Sequence, residues 1–249
     1  YEDLKVQGMD GIFIATGVGV ANYMGIPGED LKGVYTASEY LAKYNLMSPE
    51  ELAEALPSLR GKRVAVIGGG NTAIDAVRTA IRLDAKQATI VYRRSEEEMP
   101  ARAEEIKHAR EEGTEFFNLH NPVEYLGDES GHVTAMRLER MELGAPDESG
   151  RRRPVVTGEI ITVPVDEVII CIGYSASTLV TKSMPELEVN KWGNIVVDEG
   201  KKTSMPDVYA GGDIVRGAAT VILAMGDGRR AATAMHQKLS GRIEEGALV

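Results

Sequence analysis

Short β-branched apolar runs alternate along this chain with stretches whose apolar residues recur at helical spacing. Arg63-Val-Ala-Val-Ile67 reads as a buried strand, and Gly68-Gly69-Gly70 follows it at once. From Thr72 to Leu83, the residues Ala73, Ile74, Val77, Ala80 and Ile81 share one helical face. Ala88-Thr-Ile-Val-Tyr92 is the next strand. Strand, glycine turn, helix and strand make a βαβ unit, which places the chain in the α/β class. Upstream, Gly11-Ile-Phe-Ile-Ala15-Thr16-Gly17 reads as another buried strand ending at a glycine, and Asp166-Glu-Val-Ile-Ile-Cys-Ile-Gly173 resembles it.

The remaining pattern is less regular. Pro100 is expected to open a helix reaching about Glu112, with Glu104 and Glu105 at its positive end. Thr114–Leu119 reads as a strand. Val123–Leu126 and His132–Leu143 flank a hairpin-like turn over Gly127–Gly131. Ala145–Pro154 is polar and reads as a surface loop. Asn194–Asp198 and Asp207-Val-Tyr-Ala-Gly211-Gly212-Asp213 follow, and a long helix is expected from about Ala218 to Leu239. There is no solenoid repeat and no low-complexity tract.

The glycine turn carries the strongest chemical signal. Gly68-Gly69-Gly70-Asn71-Thr72-Ala73 fits the spacing G-x-G-x-x-A between a strand and an amphipathic helix. Gly68 permits the tight turn, Gly70 admits a pyrophosphate to backbone N–H groups, and Ala73 allows close helix–strand packing. The diphosphate would rest on the helix N-terminus. The plain alternative is a glycine-rich turn that binds nothing. At the end of the second strand, an NAD site would carry an acidic residue for the ribose 2′-hydroxyl. Tyr92-Arg93-Arg94-Ser95 offers two guanidiniums instead, which suit a 2′-phosphate. NADPH is therefore expected over NADH. The alternative is a solvated basic pair balanced by Glu96, Glu97 and Glu98.

A second constellation lies near the C-terminus. Tyr209-Ala-Gly-Gly212-Asp213 ends a short strand and presents a carboxylate suited to a polyol hydroxyl. The small residues after Arg216 leave room for a flat group at the N-terminus of the next helix, where the dipole would stabilise negative charge on a reduced flavin. A βα turn with packing-driven small residues is the alternative. Gly17-Val-Gly19-Val-Ala-Asn22 also fits a glycine pattern, but Tyr23-Met-Gly25-Ile-Pro27-Gly28 cannot form the helix such a site needs.

Composition narrows the partners. Lys and Arg number 28 against 38 Asp and Glu, a net charge of −10 that argues against a nucleic-acid backbone as ligand. The single cysteine, Cys171, excludes an internal disulfide or an iron–sulfur cluster within the chain and points to a reducing, cytoplasmic compartment. No apolar run approaches the ~20 residues of a membrane span. Cys171 reads as a buried packing residue, and His108, His120, His132 and His236 as structural or solvated. Glu96–Glu98 with Glu104, Glu105, Glu111 and Glu112 reads as a solvated helix face, or a docking surface for a partner. Arg151-Arg152-Arg153 reads as a surface triplet, able to lie over nucleotide phosphates or meet a partner. Trp192 reads as a packing anchor in a turn.

Together, Gly68-Gly-Gly-Asn-Thr-Ala-Ile-Asp75, Val91-Tyr-Arg-Arg-Ser95, Glu98-Met-Pro-Ala101, Gly150-Arg-Arg-Arg-Pro154 and Ala210-Gly-Gly-Asp213 resemble the small (β) subunit of NADPH-dependent glutamate synthase. They also resemble the large subunit of NADH-dependent ferredoxin:NADP oxidoreductase and the flavin–NADPH portion of dihydropyrimidine dehydrogenase. The resemblance implies a two-dinucleotide-binding-domain flavoprotein, in which a Rossmann-like NADP-binding domain is inserted into an FAD-binding domain. It implies residues 1–29 as the end of the first FAD segment and a linker, 30–173 as the NADPH domain and 174–249 as the returning FAD segment, with crossings at Thr16-Gly17 and Ile172-Gly173. It further implies Gly68, Gly69, Gly70, Asn71, Thr72, Ala73, Arg93 and Arg94 as NADP(H) ligands. Gly173, Gly212, Asp213, Ala219, Thr220 and Val221 would lie at FAD. No catalytic side chain is implied, because hydride transfer is the cofactors' own chemistry. The family's N-terminal cysteine-rich cluster region and first glycine fingerprint are not in this sequence. The expectation is therefore the C-terminal part of a longer protein, whose FAD domain lacks its N-terminal part here and whose full-length parent alone carries iron–sulfur clusters. NADPH, a larger partner subunit or a ferredoxin-like acceptor are the expected partners. The alternatives are a ferredoxin:NADP oxidoreductase-type subunit, or a non-catalytic NADP(H)-binding module without flavin.

Overall fold

The computed structural model describes residues 1–48, 50–51, 58–146, 150 and 152–241. Arg151 of the arginine triplet and residues 147–149 of the expected loop lie outside them. In chain order the strands are β1 (Ile12–Ile14), β2 (Val20–Ala21), β3 (Val34–Thr36), β4 (Arg63–Ile67), β5 (Gln87–Tyr92) and β6 (Glu115–Asn118). They continue as β7 (His120–Gly127), β8 (Val133–Pro146), β9 (Arg152–Pro164), β10 (Glu167–Ile170), β11 (Tyr174–Ser175) and β12 (Val208–Ala210). The longer helices are Ala37–Leu46, Asn71–Arg82, Ala103–Glu111 and Val221–Leu239. The chain divides into two compact units, one of residues 23–172 and one of 1–22 with 173–249.

The 23–172 unit is a parallel five-stranded sheet in the order β3-β10-β4-β5-β6. Its strands read as continuous apolar runs because both faces are covered. Val64 and Val66 point to one side and pack with Ile74, Val77 and Ala80 of the helix Asn71–Arg82. Ala65 and Ile67 point to the other, with Tyr125, Met136 and Leu138 of the antiparallel sheet β7-β8-β9. That alternation is the pleat expressed in packing. Burying one such aliphatic side chain contributes about 1.5–3 kcal/mol. The chain enters this unit between Asn22 and Tyr23, later than the Thr16-Gly17 crossing expected and earlier than residue 30, because Met24 and Ile26 pack into the second of these cores.

Several expectations shift locally. Pro100 does not start its helix. Pro100 and Ala101 instead run past the glycine turn, with the Ala101 amide donating to the Gly69 carbonyl at 3.1 Å, and the helix begins at Ala103. The expected loop 145–154 is narrower than its composition suggests, because Arg152–Pro154 already pair with β8. The Gly127–Gly131 turn is a hairpin tip, where Asp128 Oδ1 accepts from the Ser130 amide and hydroxyl and from the His132 amide. Asn194–Asp198 forms no ladder beyond an isolated bridge, Val189 to Ile195. Trp192 is 68% exposed, so it anchors no packing; Lys191 lies 4.4 Å over its ring.

The unit of 1–22 and 173–249 holds two small sheets, β1 parallel to β12 and β2 antiparallel to β11. Ile14, Val208, Ala210, Ile195 and Ile214 form its core. The strand expected to be buried, β1, is only partly so: Phe13 is exposed, since β12 alone pairs with it. After the decoy glycines 17 and 19 the chain forms β2 and no helix. No helix among the described residues is long and apolar enough to cross a membrane.

Candidate functional site

Two glycine turns, one in each unit, carry the candidate chemistry. In the 23–172 unit, β4 ends at Gly68, whose φ of +136° and whose position against the Cys171 carbonyl both exclude a side chain. A Cβ there would stand 2.3 Å from that carbonyl oxygen. A Cβ on Gly69 would stand 2.8 Å from the Tyr92 ring. Gly70 differs: its nearest neighbour would be Pro100 Cγ at 4.0 Å, so this position opens outwards. Ala73, 0% exposed, packs the helix onto the sheet. The Ala73 and Ile74 amides already donate to the Gly70 carbonyl. The amides of Gly69, Gly70, Asn71 and Thr72 donate to no protein acceptor among the described residues. The turn thus offers open N–H groups at the carboxyl end of a parallel strand, where a helix dipole adds positive potential. The Asn71 side chain is engaged, its Oδ1 accepting from the Arg102 amide at 3.0 Å. The Cys171 thiol is buried, and burial pushes its pKa up, as suits a packing residue.

At the end of β5 the two arginines separate. Arg93 is exposed and Arg94 is buried, with the Arg94 carbonyl accepting from Leu119. The turn Glu96–Glu98 after them is solvated only in part: Glu97 is exposed and Glu98 is not. Glu98 is buried, accepts the Ser95 hydroxyl and pairs with Arg152 of β9. Burial alone would raise the Glu98 pKa, but the Ser95 hydroxyl and the Arg152 guanidinium outweigh it and hold it below the usual range. Glu97 also pairs with Arg152, at 2.7 Å, and Glu96 with Arg110. Further along the same stretch Glu105 and Glu112 pair with Arg78 at 2.7 and 2.8 Å. Arg152 is the residue here that sequence reasoning left as surface; only the β8–β9 register brings it to this turn.

In the other unit, a cavity of about 250 Å³ brings together Gly212, Asp213, Ala219, Thr220 and Val221. Phe13, Ala15 and Gly17 close it from the β1 side, a contribution that sequence reading did not assign. Gly173 is elsewhere: its φ is +95° and its carbonyl accepts from the Asn22 amide at 3.1 Å. Thr220 caps the helix Val221–Leu239, its hydroxyl accepting from the Leu223 amide at 3.4 Å. Asp213 Oδ1 accepts from the Ala219 amide at 3.2 Å, which leaves Oδ2 for another donor. Behind the cavity lies Asp227, 0% exposed. Its carboxylate accepts from the Gly212 amide at 3.2 Å and from Arg216 Nε at 2.6 Å, and pairs with Lys201 at 2.9 Å. The Arg216 guanidinium, with Lys201 and the Gly212 amide, keeps it ionised far below the usual carboxylate range. No sequence signal marked Asp227, because one acid in a helix reads as solvated.

The model of the family described as pyridine nucleotide-disulphide oxidoreductase matches residues 2–236. The chain is 43% identical over 234 residues to the NADP(+)-dependent formate dehydrogenase subunit beta of Moorella thermoacetica, covering 92% of this chain and 32% of that protein. It is 40% identical over 232 residues to the glutamate synthase [NADPH] small chain of Escherichia coli, covering 90% of this chain and 49% of that one. Among solved structures, Mycobacterium tuberculosis FprA in complex with NADPH superposes with a TM-score of 0.77 at 22% identity, covering 98% of this chain and 68% of FprA. The chain therefore spans between about a third and a half of those two curated relatives.

Proposed function

The chain belongs to the pyridine nucleotide-disulphide oxidoreductase family, and from that premise we propose that it is the NADPH-binding and part of the FAD-binding portion of an electron-feeding oxidoreductase subunit. The observation that carries this reading is the set of open amides at Gly69, Gly70, Asn71 and Thr72, just before the buried helix–sheet contact of Ala73 and after a strand that pairs with β5, which ends at Tyr92 next to Arg93. These amides hold the diphosphate of NADP(H), and Arg93, with Arg94 behind it, attracts the 2′-phosphate. In the other unit the cavity around Gly212, Asp213, Ala219, Thr220 and Val221 fits part of FAD. Asp213 would hold a hydroxyl of the polyol, and the N-terminus of Val221–Leu239 would supply positive potential to the flavin ring. When bound, the two cofactors would supply the chemistry, hydride transfer from nicotinamide to flavin. The protein's part is to bind, orient and exclude water, and it needs no acid or nucleophile of its own.

The acceptor we assign is a larger partner subunit or a ferredoxin-like protein, reached through iron–sulfur centres outside this chain, as in a glutamate synthase small subunit. Similarity to subunits of a formate dehydrogenase and a glutamate synthase supports an electron-feeding role without choosing between acceptors. Two measurements test the reading. Titration of the chain with NADPH and NADH should show tighter NADPH. The full-length subunit should carry a flavin absorbance that NADPH bleaches without oxygen. Equal affinity for the two nucleotides sinks the NADP assignment; a colourless full-length subunit that binds NADPH without turnover sinks the flavin assignment.

A further inference from the structure

The carboxylates that follow the arginine pair pose an electrostatic difficulty. A 2′-phosphate at Arg93 brings a charge of roughly −1.5 to −2 to the end of β5. Two to five residues further on stand Ser95, Glu96, Glu97 and Glu98. Three carboxylates beside that phosphate would repel it unless each is neutralised. Arg110 takes Glu96. Arg152 takes both of the others, its Nη2 at 2.7 Å from Glu97 and its Nε on Glu98, while Nη2 also approaches the Ser95 hydroxyl at 3.5 Å. The guanidinium fork is therefore already committed to carboxylates, one of them buried, and Ser95 ties the same cluster back to the strand end.

We propose that Arg152 is a specificity-determining residue for NADPH that acts by neutralising Glu97 and Glu98 rather than by touching the nucleotide. This rests on the NADP reading above. Its physical content is that one guanidinium cancels two carboxylates, buried Glu98 and exposed Glu97, so losing it leaves both charges to act on whatever anion binds nearby, the exposed one through a field that salt screens. NADH, which lacks the phosphate, is indifferent to that charge. A rim charge of this kind alters affinity for the charged ligand and its salt dependence more than it alters shape.

Dissociation constants for NADPH and NADH, read from nucleotide fluorescence at low and high salt, test the idea on the chain as it stands. Arg152→Gln should weaken NADPH by roughly tenfold at low salt and less at high salt, while NADH stays within about twofold. The retained NADH affinity doubles as the folding control. The triple variant Arg152→Gln, Glu97→Gln, Glu98→Gln should return NADPH to within about threefold of the unsubstituted chain, because no carboxylate is left to neutralise. An NADPH affinity unmoved by Arg152→Gln overturns the proposal. So does a loss that the triple variant fails to restore, since Arg152 would then be a direct phosphate ligand. If the unsubstituted chain binds the two nucleotides equally, the NADP reading itself falls and takes this one with it; a preference for NADPH that Arg152→Gln leaves undiminished removes only the role given to Arg152.

Discussion

The two glycine turns are held in place by different means. The turn after β4 closes a five-stranded sheet and is fixed by packing: the Cys171 carbonyl lies against Gly68, the Tyr92 ring against Gly69, and Ala73 is wholly buried. The turn after β12 closes a sheet of two strands, beside a helix start whose Val221 and Ile222 are 75% and 80% exposed. Ala210 and Ile214 on either side of it are buried in that unit's core, and an ionic hub is added to their packing. Asp227 gathers the Gly212 amide, Arg216 and Lys201 around one buried carboxylate. A turn held by packing tolerates no added volume, whereas a turn held by a buried charge tolerates no lost partner.

That contrast can be broken from either side. The largest effect is expected for Asp227→Ala, which strands two cations and an amide and should cost about 3–5 kcal/mol in the unit of 1–22 and 173–249. Denaturant unfolding should show that loss while NADPH binding by the 23–172 unit persists; unchanged unfolding would refute the ionic account. Gly68→Ala should destabilise the 23–172 unit by about 2–4 kcal/mol, from a disfavoured φ and a clash with backbone that cannot retreat. Here NADPH binding should fail first, and a variant with native melting and affinity would show that the turn is looser than its packing implies. Arg93→Gln leaves both folds alone and should weaken NADPH by roughly ten- to a hundredfold, the equivalent of about 1.5–3 kcal/mol for a charge-assisted contact, with NADH little changed.

The smallest effect concerns pH. Hydrogen bonds from Arg63 hold the Asp166 carboxyl at about 2, below the ordinary 3.8. A depressed carboxylate stabilises the fold above its unfolded value and loses that contribution as the pH falls through its folded value. The Arg63–Asp166 pair should therefore contribute fully above about pH 4 and vanish towards about pH 2, a contribution on the order of 1 kcal/mol given its partial exposure. Asp166→Asn should flatten acid unfolding of the 23–172 unit in that window. A variant with the wild-type acid profile would assign the slope to other carboxylates.

The amide cradle at Gly68–Thr72 was legible because each part of it is local. A β-branched run, three glycines and a 3.6-residue apolar period lie within twenty residues, and backbone geometry alone turns them into strand, turn and helix. The second turn was half legible. Gly212, Asp213, Ala219, Thr220 and Val221 do meet around one cavity, yet Gly173 does not join them, and Phe13 and Ala15 enter from a strand nearly two hundred residues away. Within the acidic stretch Glu98 departs from expectation for a related reason. Composition makes Glu96–Glu98 look solvated, and nothing within reach in the sequence announces that Arg152 will arrive from β9 to bury one of them.

Sequence by itself determined the α/β class, the βαβ unit, the glycine turn with its following helix, and the basic pair at the end of the next strand, since these depend on dihedral preference and side-chain periodicity over a few residues. Tertiary structure alone decided which arginine faces outwards, which carboxylates are neutralised, and that Asp227 holds a turn fifteen residues before it. The physical reason is range. Periodicity is written into neighbouring residues, but a buried charge finds its partner only when strand register and helix packing bring distant segments within ångströms of each other.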